Sequence, residues 1–481
     1  MITSQRMAAV DENAAALGVP RKQLMESSGN AVASAVREVG APGDEVAVVA
    51  GRGNNGGDAL VAARFLEEFD ATVHLLGRAE TISTDIAREN WEALRRAECD
   101  ARAVADPRDL DLGDPDVVVD GMLGTGVTGA LREPEATAAK AVNATDAVVV
   151  AVDVPSGMDA DTGETEGAVV EADRVVTFHD QKPGLTDLGA EVTVADIGIP
   201  DAADLFVGPG DLLALERDPQ AHKGDFGRVL VVGGGPYAGA PALSGQAALR
   251  AGADLAFVSV PEAVADEVQG YSENLIVDAL PGDRLAPGHV DALLDRAADR
   301  RVDAVVLGPG LGGADDSLAA VRRFLAEYDG RAVVDADALQ VVPEVETEAA
   351  LVCTPHQGEL RKMGGTTADD WRERAELVEE FAADLGHVLL VKGAYDVVSD
   401  GQTTRVNRTG NPGMTVGGTG DVLAGATGAM LSTQEPVSAA SIAAYANGAA
   451  GDAVVGERGY GLLASDLLPA LPEALWGGRD E

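Results

Sequence analysis

The feature that most constrains this fold is an alternation of short apolar runs with amphipathic segments along nearly the whole chain. Val46–Ala50 and Ala147–Val152 are apolar runs, whereas Asp58–Phe69 and Ile86–Ala97 have helical spacing. Apolar runs of about four to eight residues indicate buried strands, and longer periodic segments indicate helices. Such alternation is typical of a mostly parallel sheet with helices on both faces. We therefore expect an α/β protein.

The alternation occurs in two series, and residues 1–40, ahead of the first, are predicted to form two helices. The strands expected in the first series are Val46–Ala50, Thr72–Leu76, Val117–Val119, Ala147–Val152, Arg174–Phe178 and Val192–Ile197. Those expected in the second are Val229–Val232, Leu255–Val260, Ala304–Leu307, Ala332–Val334, Leu351–Thr354, His387–Val391 and Asp396–Ser399. A polar stretch with glycine and proline, between about Pro200 and Gln220, separates the two series. This break predicts two domains, 1–210 and 211–481.

Charge and composition exclude several classes of partner. The formal net charge of −44 opposes binding to nucleic acid and to anionic membrane surfaces. No stretch reaches the ~18 apolar residues that a membrane span needs, and no export signal is visible at the N-terminus. Cys99 and Cys353 lie far apart in the sequence, which indicates a reducing compartment. We therefore expect a cytoplasmic protein that binds neither nucleic acid nor membrane.

The excess of acidic residues is itself informative. The chain has 80 Asp and Glu residues against 36 Lys and Arg. At molar salt the Debye length falls to ~3 Å, which suppresses the self-repulsion of such a charge. The composition therefore predicts a halophile protein from a salt-rich cytoplasm. A homo-oligomer is also expected, although the sequence does not specify the number of copies.

Three loops rich in glycine and acidic residues follow strands of the first series. They are Gly51–Asp58, Asp120–Gly129 and Asp153–Asp159. Each loop alone could be an ordinary turn. Because the strands are expected to be parallel, the loops leave the same end of the sheet and can converge on one crevice. Together they predict a ligand site in the first half of the chain.

The first of these loops formally satisfies the dinucleotide fingerprint G-x-G-x-x-G. A dehydrogenase would then carry an acidic residue at the end of the next strand to hold the ribose. That strand instead ends in Gly77-Arg78. The two helices expected ahead of the first strand also do not suit an ordinary Rossmann domain. We therefore reject hydride transfer.

The second half carries Gly417-Gly418-Thr419-Gly420-Asp421 ahead of an apolar helical stretch, Val422–Met430. The pattern predicts that Asp421 opens the helix. A helix N-terminus attracts anions through its unpaired N–H groups and its dipole. An acid in that place is suited to take a proton from a hydroxyl that attacks a bound phosphate. The alternative, that Asp421 only caps the helix after a flexible loop, stays open on this pentapeptide alone.

Further segments of the second half support phosphate chemistry. Lysine is scarce in this chain, yet Lys223 and Lys392 in this half, like Lys182 in the first half, stand in glycine-flanked loops where a compact positive charge can meet phosphate. His356 follows a predicted strand, ahead of Gly358-Glu359. An imidazole in a protein often only packs, but this setting favours contact with a substrate.

The three loops of the first half resemble the NAD(P)H-hydrate epimerase family, and the match covers about residues 1–200. The resemblance implies a Rossmann-like three-layer domain in which Asp153 contacts the hydrated nicotinamide and transfers a proton. It also implies a potassium ion on Asn55, Asp120 and Ser156. The role of Lys182, which agrees with the family's pattern, stays open. The implied dinucleotide contacts are Asn54, Asn55, Gly56, Gly57, Asp58, Gly124, Thr125, Gly126, Val127, Thr128, Gly129 and Ala130.

The second half resembles the ADP/ATP-dependent NAD(P)H-hydrate dehydratase family, a branch of the ribokinase-like fold, over about residues 211–481. The resemblance implies that the hydrated dinucleotide contacts Ala240, Gly310, His356 and Asp421. It also implies that ADP or ATP, with Mg²⁺ on its phosphates, is the co-substrate. The implied nucleotide contacts are Lys392, Gly393, Ala394, Tyr395, Asp396 and Gly420.

The two resemblances together imply a bifunctional repair enzyme, both isomerase and lyase, with Asp153 and Asp421 as catalytic residues. It would interconvert the R and S epimers of hydrated NADH or NADPH and dehydrate the S form at the expense of ADP or ATP. Two alternatives remain. The second half could be a vitamin or sugar kinase, and the first half could bind a dinucleotide without catalysis.

Overall fold

The computed structural model describes residues 1–477, which divide into two compact units. The first unit is Met1–Ala203 and the second begins at Asp204, a few residues ahead of the boundary expected from the sequence. Phe206 forms a backbone bridge with Val406, and the buried carboxylate of Asp211 lies 2.9 Å from Arg405. These contacts place the segment just after Ala203 with the second unit.

The first unit contains a seven-stranded parallel sheet in the order β3-β2-β1-β4-β5-β6-β7. Its strands are β1 (Glu45–Ala50), β2 (Asp70–Leu76), β3 (Ala101–Val104), β4 (Val117–Gly121), β5 (Val148–Val152), β6 (Arg174–Phe178) and β7 (Glu191–Ala195). Its helices are α1 (Ser4–Ala16), α2 (Arg21–Val39), α3 (Asn54–Phe65), α4 (Asp85–Arg96) and α5 (Glu135–Val142), and α6 (Asp201–Leu205) spans the division.

Alternate side chains of the central strand β1 enter two different cores. Val46, Val48 and Ala50 pack in a cluster with residues of α1, α2, α3 and α4. Ala47 and Val49 pack in a second cluster with residues of α5. Because successive strand residues point to opposite faces, helices cover both sides of the sheet. The predicted three-layer α/β arrangement is confirmed.

The second unit contains a nine-stranded sheet in the order β10-β9-β8-β11-β12-β13-β14-β15-β16. Its strands are β8 (Arg228–Val232), β9 (Leu255–Pro261), β10 (Ile276–Leu280), β11 (Ala304–Leu307), β12 (Arg331–Val334), β13 (Ala350–Cys353), β14 (Val388–Val391), β15 (Asp396–Ser399) and β16 (Thr404–Asn407). Only the β14–β15 and β15–β16 pairs are antiparallel within the described residues. Its helices are α7 (Gly239–Arg250), α8 (Glu262–Gly270), α9 (Val290–Asp299), α10 (Asp315–Glu327), α11 (Gln357–Lys362), α12 (Trp371–Leu385), α13 (Thr419–Leu431), α14 (Pro436–Arg458) and α15 (Ala464–Trp476).

This second sheet is also buried on both faces. Val229 and Val231 of β8 pack in one cluster with residues of α7, α13, α14 and α15. Leu230 and Val232 pack in another with residues of α9, α10 and α12. Each unit is therefore an independent α/β layer structure. Among residues 1–477, no helix is long and apolar enough to cross a membrane.

Three strands that the sequence did not predict, β3, β10 and β16, lie at the edges of their sheets. Edge strands are partly exposed or carry polar residues, so they lack the continuous apolar run that indicates a central strand. In β3, for example, Arg102 and Ala103 are exposed. The apolar-run criterion therefore found the interior strands and missed these edges.

Two helix starts also differ from expectation. Helix α3 begins at Asn54 rather than near Asp58, and α13 begins at Thr419 rather than at Asp421. Both have a glycine N-cap, and Gly418 has a left-handed φ of 99°, which glycine adopts without strain. The prediction that Asp421 opens its helix was therefore wrong by two residues. Its carboxylate lies in the first turn.

Candidate active sites

The three loops of the first unit begin side by side. Strand β4 pairs with both β1 and β5, so that Asp120 lies opposite Val49 on one side and Ala151 on the other. All three strands are parallel, and their carboxyl ends share one edge of the sheet. The structure therefore brings together the loops that follow β1, β4 and β5, as the sequence predicted.

The loop after β1 approaches the loop after β4 very closely. A Cβ atom on Gly51 would lie 1.8 Å from the carbonyl oxygen of Met122, so only glycine fits there. Helix α3 then starts without a side-chain cap, which leaves its first N–H groups open to a ligand. Of the predicted contacts in this loop, Asn54 is exposed, Asn55 and Asp58 are half-buried, and Gly56 and Gly57 are buried.

The loop from Gly124 to Ala130 lies beside the start of α3. A Cβ atom on Gly124 would stand 3.0 Å from Oδ1 of Asn55. Thr125 is half-buried, and residues 126–130 are exposed, including Val127 with 44% of its surface accessible. The predicted dinucleotide contacts in this loop, which include Gly126, Thr128 and Gly129, therefore stand at the surface.

Asp120 and Ser156 form a buried pair at the ends of β4 and β5. The Ser156 hydroxyl and backbone N–H donate to the two Asp120 oxygens at 2.7 and 2.8 Å, and Met122 N–H donates to Oδ1 at 3.2 Å. Burial raises the pKa of Asp120 to about 6, and the hydrogen bonds from Ser156 and Met122 oppose that rise. Asp120 forms no ion pair with any residue of 1–477. A cation would compensate this buried charge.

The groups around Asp120 fit potassium. Oδ1 of Asn55 is the atom of this side chain that can bind a cation, because Nδ2, which is buried and has no hydrogen-bond partner among the described residues, is a donor. Amide, carboxylate and hydroxyl oxygens suit a hard cation. The described residues contain no group of three or more His, Cys, Asp or Glu side chains that could hold a metal ion. A potassium site here would depend on this mixed set of oxygens.

Asp153 stands directly after β5 with a left-handed φ of 66°. Its Oδ1 accepts a hydrogen bond from the Thr177 hydroxyl at 3.0 Å and lies 3.0 Å from Nζ of Lys182. Two further acids face this pair. Burial raises the pKa of Asp11 to about 6 and that of Asp58 well above its usual range, and the charge of Asp153 adds to both effects.

The loops of the second unit also converge at one edge of their sheet. Strands β8, β11, β12, β13 and β14 are neighbours and run parallel. Gly310, after β11, has a left-handed φ of 74°, and a Cβ atom there would lie 3.2 Å from Cβ of Ala240 at the start of α7. The structure thus places these two predicted substrate contacts side by side.

The N-terminus of α13 is held against α7. The Ser244 hydroxyl donates to the backbone carbonyl of Asp421 at 2.8 Å. A Cβ atom on Gly425 would lie 2.0 Å from the Ser244 carbonyl, so the two helices touch at backbone distance. This contact determines where the first turn of α13, and with it the Asp421 carboxylate, stands.

Lys392 is the centre of a charged cluster beside that turn. Its Nζ lies 3.0 Å from Asp335 Oδ1 and 3.8 Å from Glu359 Oε2, and Thr354 donates to the same Asp335 oxygen at 2.7 Å. Burial lowers the pKa of Lys392, but the charges of Asp335 and Glu359 outweigh it and the pKa is raised. A Cβ atom on Gly420 would stand 3.4 Å from Nζ. The ammonium therefore lies at the predicted nucleotide loop.

Asp421 has the electrostatics of a proton acceptor. Its pKa is raised to about 7, first by burial and then by the charge of Asp335, while Lys392 lowers it and Glu359 raises it. A base with a pKa near the working pH combines a useful deprotonated fraction with real proton affinity. The carboxylate can thus take a proton from a substrate hydroxyl near neutral pH.

His356 is the N-cap of the short helix α11. Its Nδ1 accepts hydrogen bonds from the backbone N–H groups of Gly358 and Glu359 at 2.8 and 3.2 Å. The backbone N–H of His356 donates to Glu359 Oε2 at 2.8 Å. The imidazole ring, which carries Nε2 on its other side, is exposed. The position is compatible with substrate contact, but the ring also has a local capping role that the sequence did not indicate.

The loop from Lys392 to Asp396 is shaped by its last residue. The buried Asp396 carboxylate accepts from Gly393 N–H at 2.9 Å and from Asn407 Nδ2 at 3.0 Å. Burial raises its pKa to about 6. Gly393 and Ala394 are exposed, and the Tyr395 ring stacks on Trp371 with centroids 5.3 Å apart. Asp396 therefore supports the loop, whereas Gly393 and Ala394 are open to a ligand.

Sequence reasoning assigned no role to several residues of these clusters. Asp335 and Thr354 follow strands, and Glu359 lies in the short helix α11, but only their contacts around Lys392 reveal their part. Asp11, on a helix far from Asp153 in sequence, gave no signal. For Lys182, its place in a glycine-flanked loop was the available hint.

Two family models match the chain. The model of the YjeF-related protein N-terminus matches residues 21–184, and the model described as NAD(P)H-hydrate dehydratase matches residues 229–473. The bifunctional NAD(P)H-hydrate repair enzyme Nnr of Pyrobaculum aerophilum is 44% identical, over 98% of this chain and 98% of that protein. The enzyme of the same name from Archaeoglobus fulgidus is 42% identical over the same shares.

Among solved structures, an ADP/ATP-dependent NAD(P)H-hydrate dehydratase from Bacillus subtilis, co-crystallized with ATP and Mg²⁺, resembles the chain. The TM-score is 0.50 at 28% identity, and the match covers 56% of this chain and 97% of that one. The likeness supports a ribokinase-like fold for one of the two units.

Proposed function

The chain belongs to the family of bifunctional NAD(P)H-hydrate repair enzymes, and from this membership we propose a division of labour between its two units. The protein is an enzyme with two activities, an isomerase and a lyase. The unit that ends at Ala203 interconverts the epimers of hydrated NADH or NADPH. The unit that begins at Asp204 dehydrates the S epimer at the expense of ADP or ATP.

In the first unit, Asp153 is the proton-transfer group at the hydrated nicotinamide ring. The N–H groups at the start of α3 and the exposed loop from Gly124 to Ala130 bind the dinucleotide, since a helix N-terminus favours its pyrophosphate. Potassium would be held by Asn55, Asp120 and Ser156. When bound, it would offset negative charge beside the pyrophosphate.

In the second unit, the reaction removes a hydroxyl group that is a poor leaving group. Asp421 takes the proton of that hydroxyl while the hydroxyl oxygen attacks the terminal phosphorus of the nucleotide. The bond from that phosphorus to the leaving group breaks, which releases a nucleoside diphosphate from ATP or a nucleoside monophosphate from ADP. The lone pair of the ring nitrogen then expels inorganic phosphate and leaves a ring iminium, and loss of a proton from the adjacent ring carbon to solvent restores the reduced nicotinamide. Water is thereby removed overall, and one phosphoanhydride bond is consumed.

The other groups of this site stabilise the transferring phosphoryl group. The N–H groups of Gly418 to Gly420 face the place where its charge develops, and Lys392 supplies a positive charge beside Gly420. Magnesium would be carried on the nucleotide's phosphates, where it neutralises negative charge. Ala240, Gly310 and His356 contact the hydrated dinucleotide.

The observation that carries this proposal is the position of Asp421. The carboxylate lies in the first turn of α13, beside the Lys392 cluster, with its pKa raised to about 7 by burial and by Asp335. A residue that merely capped the helix would need no such environment. An N-cap role is also excluded by position, because Gly418 is the N-cap.

Separate substitutions of the two acids test the division of labour. Asp421→Asn should abolish nucleotide-dependent recovery of NADH and leave epimerisation intact, and Asp153→Asn should do the converse. Hydrated NADH epimers are incubated with ADP and Mg²⁺ in concentrated KCl, and absorbance recovery and epimer composition are followed together. Equal loss of both activities in either variant would refute the assignment.

Two alternatives have their own signatures in the same assay. A vitamin or sugar kinase would release a stable phosphorylated product and no inorganic phosphate. A first unit that only binds would retain affinity for the dinucleotide without changing the epimer ratio. The Bacillus subtilis enzyme that crystallised with ATP and Mg²⁺ supports the nucleotide and the metal for the second unit, and we favour ADP as the donor.

The setting of the protein is a further part of the proposal. The net charge of −44 supports function in a salt-rich cytoplasm, where screening reduces self-repulsion. Substrates are the hydrated dinucleotides and an adenine nucleotide, with no nucleic acid or membrane partner. We also propose a homo-oligomer, which the sedimentation velocity of the protein in molar KCl would test.

A further inference from the structure

Lys182 is an unusual residue of the first unit because its long charged side chain is 0% exposed. It lies in the loop between β6 and β7. Burial of an ammonium group costs several kcal/mol unless hydrogen bonds and an opposite charge compensate it. Its partners therefore reveal what the residue does.

Three oxygens surround the Lys182 ammonium. Nζ donates to the carbonyl oxygen of Phe178 at 2.8 Å and to that of Asp180 at 3.3 Å, and it forms an ion pair with Asp153, whose Oδ1 lies 3.0 Å away. Because the side chain is 0% exposed, the ammonium cannot reach a bound substrate. Lys182 therefore acts through Asp153.

The two oxygens of Asp153 are not equivalent. Oδ1 lies 3.0 Å from Nζ of Lys182 and accepts a hydrogen bond from the hydroxyl of the buried Thr177 at 3.0 Å. Oδ2 has no hydrogen bond to a described residue, and the side chain remains 13% exposed. An ion pair and a hydrogen bond therefore hold one oxygen, and the other is left for the ligand.

Two other acids interact electrostatically with the surroundings of Asp153. Asp11 on α1 and Asp58 on α3 both interact electrostatically with Asp153, and Arg21, Glu12 and Lys182 also act on Asp11. Asp58 Oδ1 lies 2.7 Å from the Ser28 hydroxyl, which is also 3.0 Å from the Leu24 carbonyl. A hydroxyl has one hydrogen. If Asp58 is protonated, it can donate to Ser28 while Ser28 donates to Leu24, so every group is satisfied.

We propose that Lys182 is a positioning residue of the epimerase site, which fixes Asp153 through Oδ1 and presents Oδ2 as the oxygen that exchanges the proton. The inference depends on the proposed role of Asp153 in epimerisation. Thr177 acts in the same way through its hydroxyl. The ammonium contributes charge and direction, whereas the hydroxyl contributes direction only.

The test uses three variants of the full chain in concentrated KCl. Lys182→Met removes the charge at similar length, Thr177→Val removes the hydroxyl at nearly constant shape, and Lys140→Met is the matched control at an exposed site of α5. kcat and KM for epimerisation of hydrated NADH are measured separately for each. Dehydration by the second unit, assayed in the same samples, normalises the amount of protein, and near-ultraviolet circular dichroism reports the fold.

Loss of the ammonium removes the ion pair that holds Asp153 Oδ1, and a displaced catalytic group can lower the rate on the order of 10- to 100-fold. Lys182→Met should therefore lower kcat by about that factor and leave KM for hydrated NADH nearly unchanged, because the fully buried Lys182 does not contact the substrate. Thr177→Val should lower kcat by a smaller factor, and Lys140→Met should match the wild type.

The outcomes separate this inference from the proposed function. If the wild type does not epimerise hydrated NADH, the proposed function fails. If it does and Lys182→Met keeps the wild-type kcat, or loses activity only through a higher KM, the positioning role is refuted. If near-ultraviolet circular dichroism shows that Lys182→Met does not fold, the test uses Thr177→Val instead. An unchanged kcat in that variant overturns the proposal.

Discussion

Asp153 and Asp421 are both carboxylates at the carboxyl edge of a sheet, but their neighbours give them different chemistry. Asp153 lies 3.0 Å from the buried ammonium of Lys182. The pKa of Asp421 is raised to about 7, first by burial and then by the charge of Asp335, with a smaller rise from Glu359 and with Lys392 as the opposing charge. One acid is paired with a fixed positive charge, and the other is poised to gain a proton near neutral pH.

The raised pKa of Asp421 leads to a prediction about the pH dependence of dehydration. The residue must be deprotonated to act as a base, so kcat/KM should rise as the pH passes upward through about 7 and level off above it. Asp335→Asn removes the repulsive charge, lowers the pKa of Asp421 and should move this rise to lower pH. Measurement of NADH recovery between pH 5 and 9 checks both effects.

Epimerisation in the same samples is the control, because Asp335 lies in the other unit. An acid limb that stays at the same pH in Asp335→Asn would show that Asp421 is not the group that titrates in the dehydration step.

At the scale of elements, glycines let two helices approach so that the first turn of α13 is placed correctly. Gly425 faces the backbone carbonyl of Ser244, and a Cβ atom there would lie 2.0 Å from it. The same serine donates its hydroxyl to the Asp421 carbonyl. Packing of α7 against α13 thus directly determines the position of the proposed base.

Gly425→Ala should therefore lower both stability and dehydration. Forcing a methyl group into a close contact typically costs about 1–3 kcal/mol, and separation of the helices would move Asp421. Gly456→Ala is the matched control, because it lies in α14 with no atom within 4 Å of its added Cβ. Alanine there should stabilise the protein by up to about 1 kcal/mol. Urea unfolding and NADH recovery measure the two effects.

Opposite outcomes would be informative. If Gly425→Ala is as stable and as active as Gly456→Ala, the close approach of α7 and α13 does not control the site, and another contact must place Asp421.

At the scale of the whole molecule, the charge of −44 dominates behaviour in solution. Self-repulsion of exposed acids destabilises a compact chain in dilute buffer, and salt screens it. Many exposed ion pairs are present, such as Arg322 with Glu344 at 2.8 Å, but such pairs contribute only about 0–1 kcal/mol each. They cannot compensate a charge of this size.

The midpoint of thermal unfolding should accordingly rise by several degrees or more between dilute buffer and 2–3 M KCl, on the order expected when repulsion is screened. NaCl at equal ionic strength is the control for a specific ion. General screening predicts the same rise in both salts. A potassium site on Asn55, Asp120 and Ser156 predicts an additional rise with KCl at low concentration. Curves that do not change with salt would contradict the halophile prediction.

The sequence by itself determined much of this protein. Interior strands such as β1 and β11 are continuous apolar runs, and burial on both faces of a parallel sheet demands that pattern. The loops after β1, β4 and β5 could be identified from their content of glycine and acidic residues. They lie together because these strands are parallel neighbours in the sheet. Family motifs then indicated Asp153 and Asp421, because the chemistry of a site depends on few residues at defined spacing.

Tertiary structure alone decided the remainder. Edge strands such as β3 and β16 are not enclosed on both faces, so no apolar run marks them. The partners of Asp153 and Lys392 come from distant segments, and their hydrogen bonds exist only after the sheets have brought strand ends together. The pKa of Asp421 depends on burial and on the distance to Asp335. Both quantities are properties of the folded chain and have no value in the sequence alone.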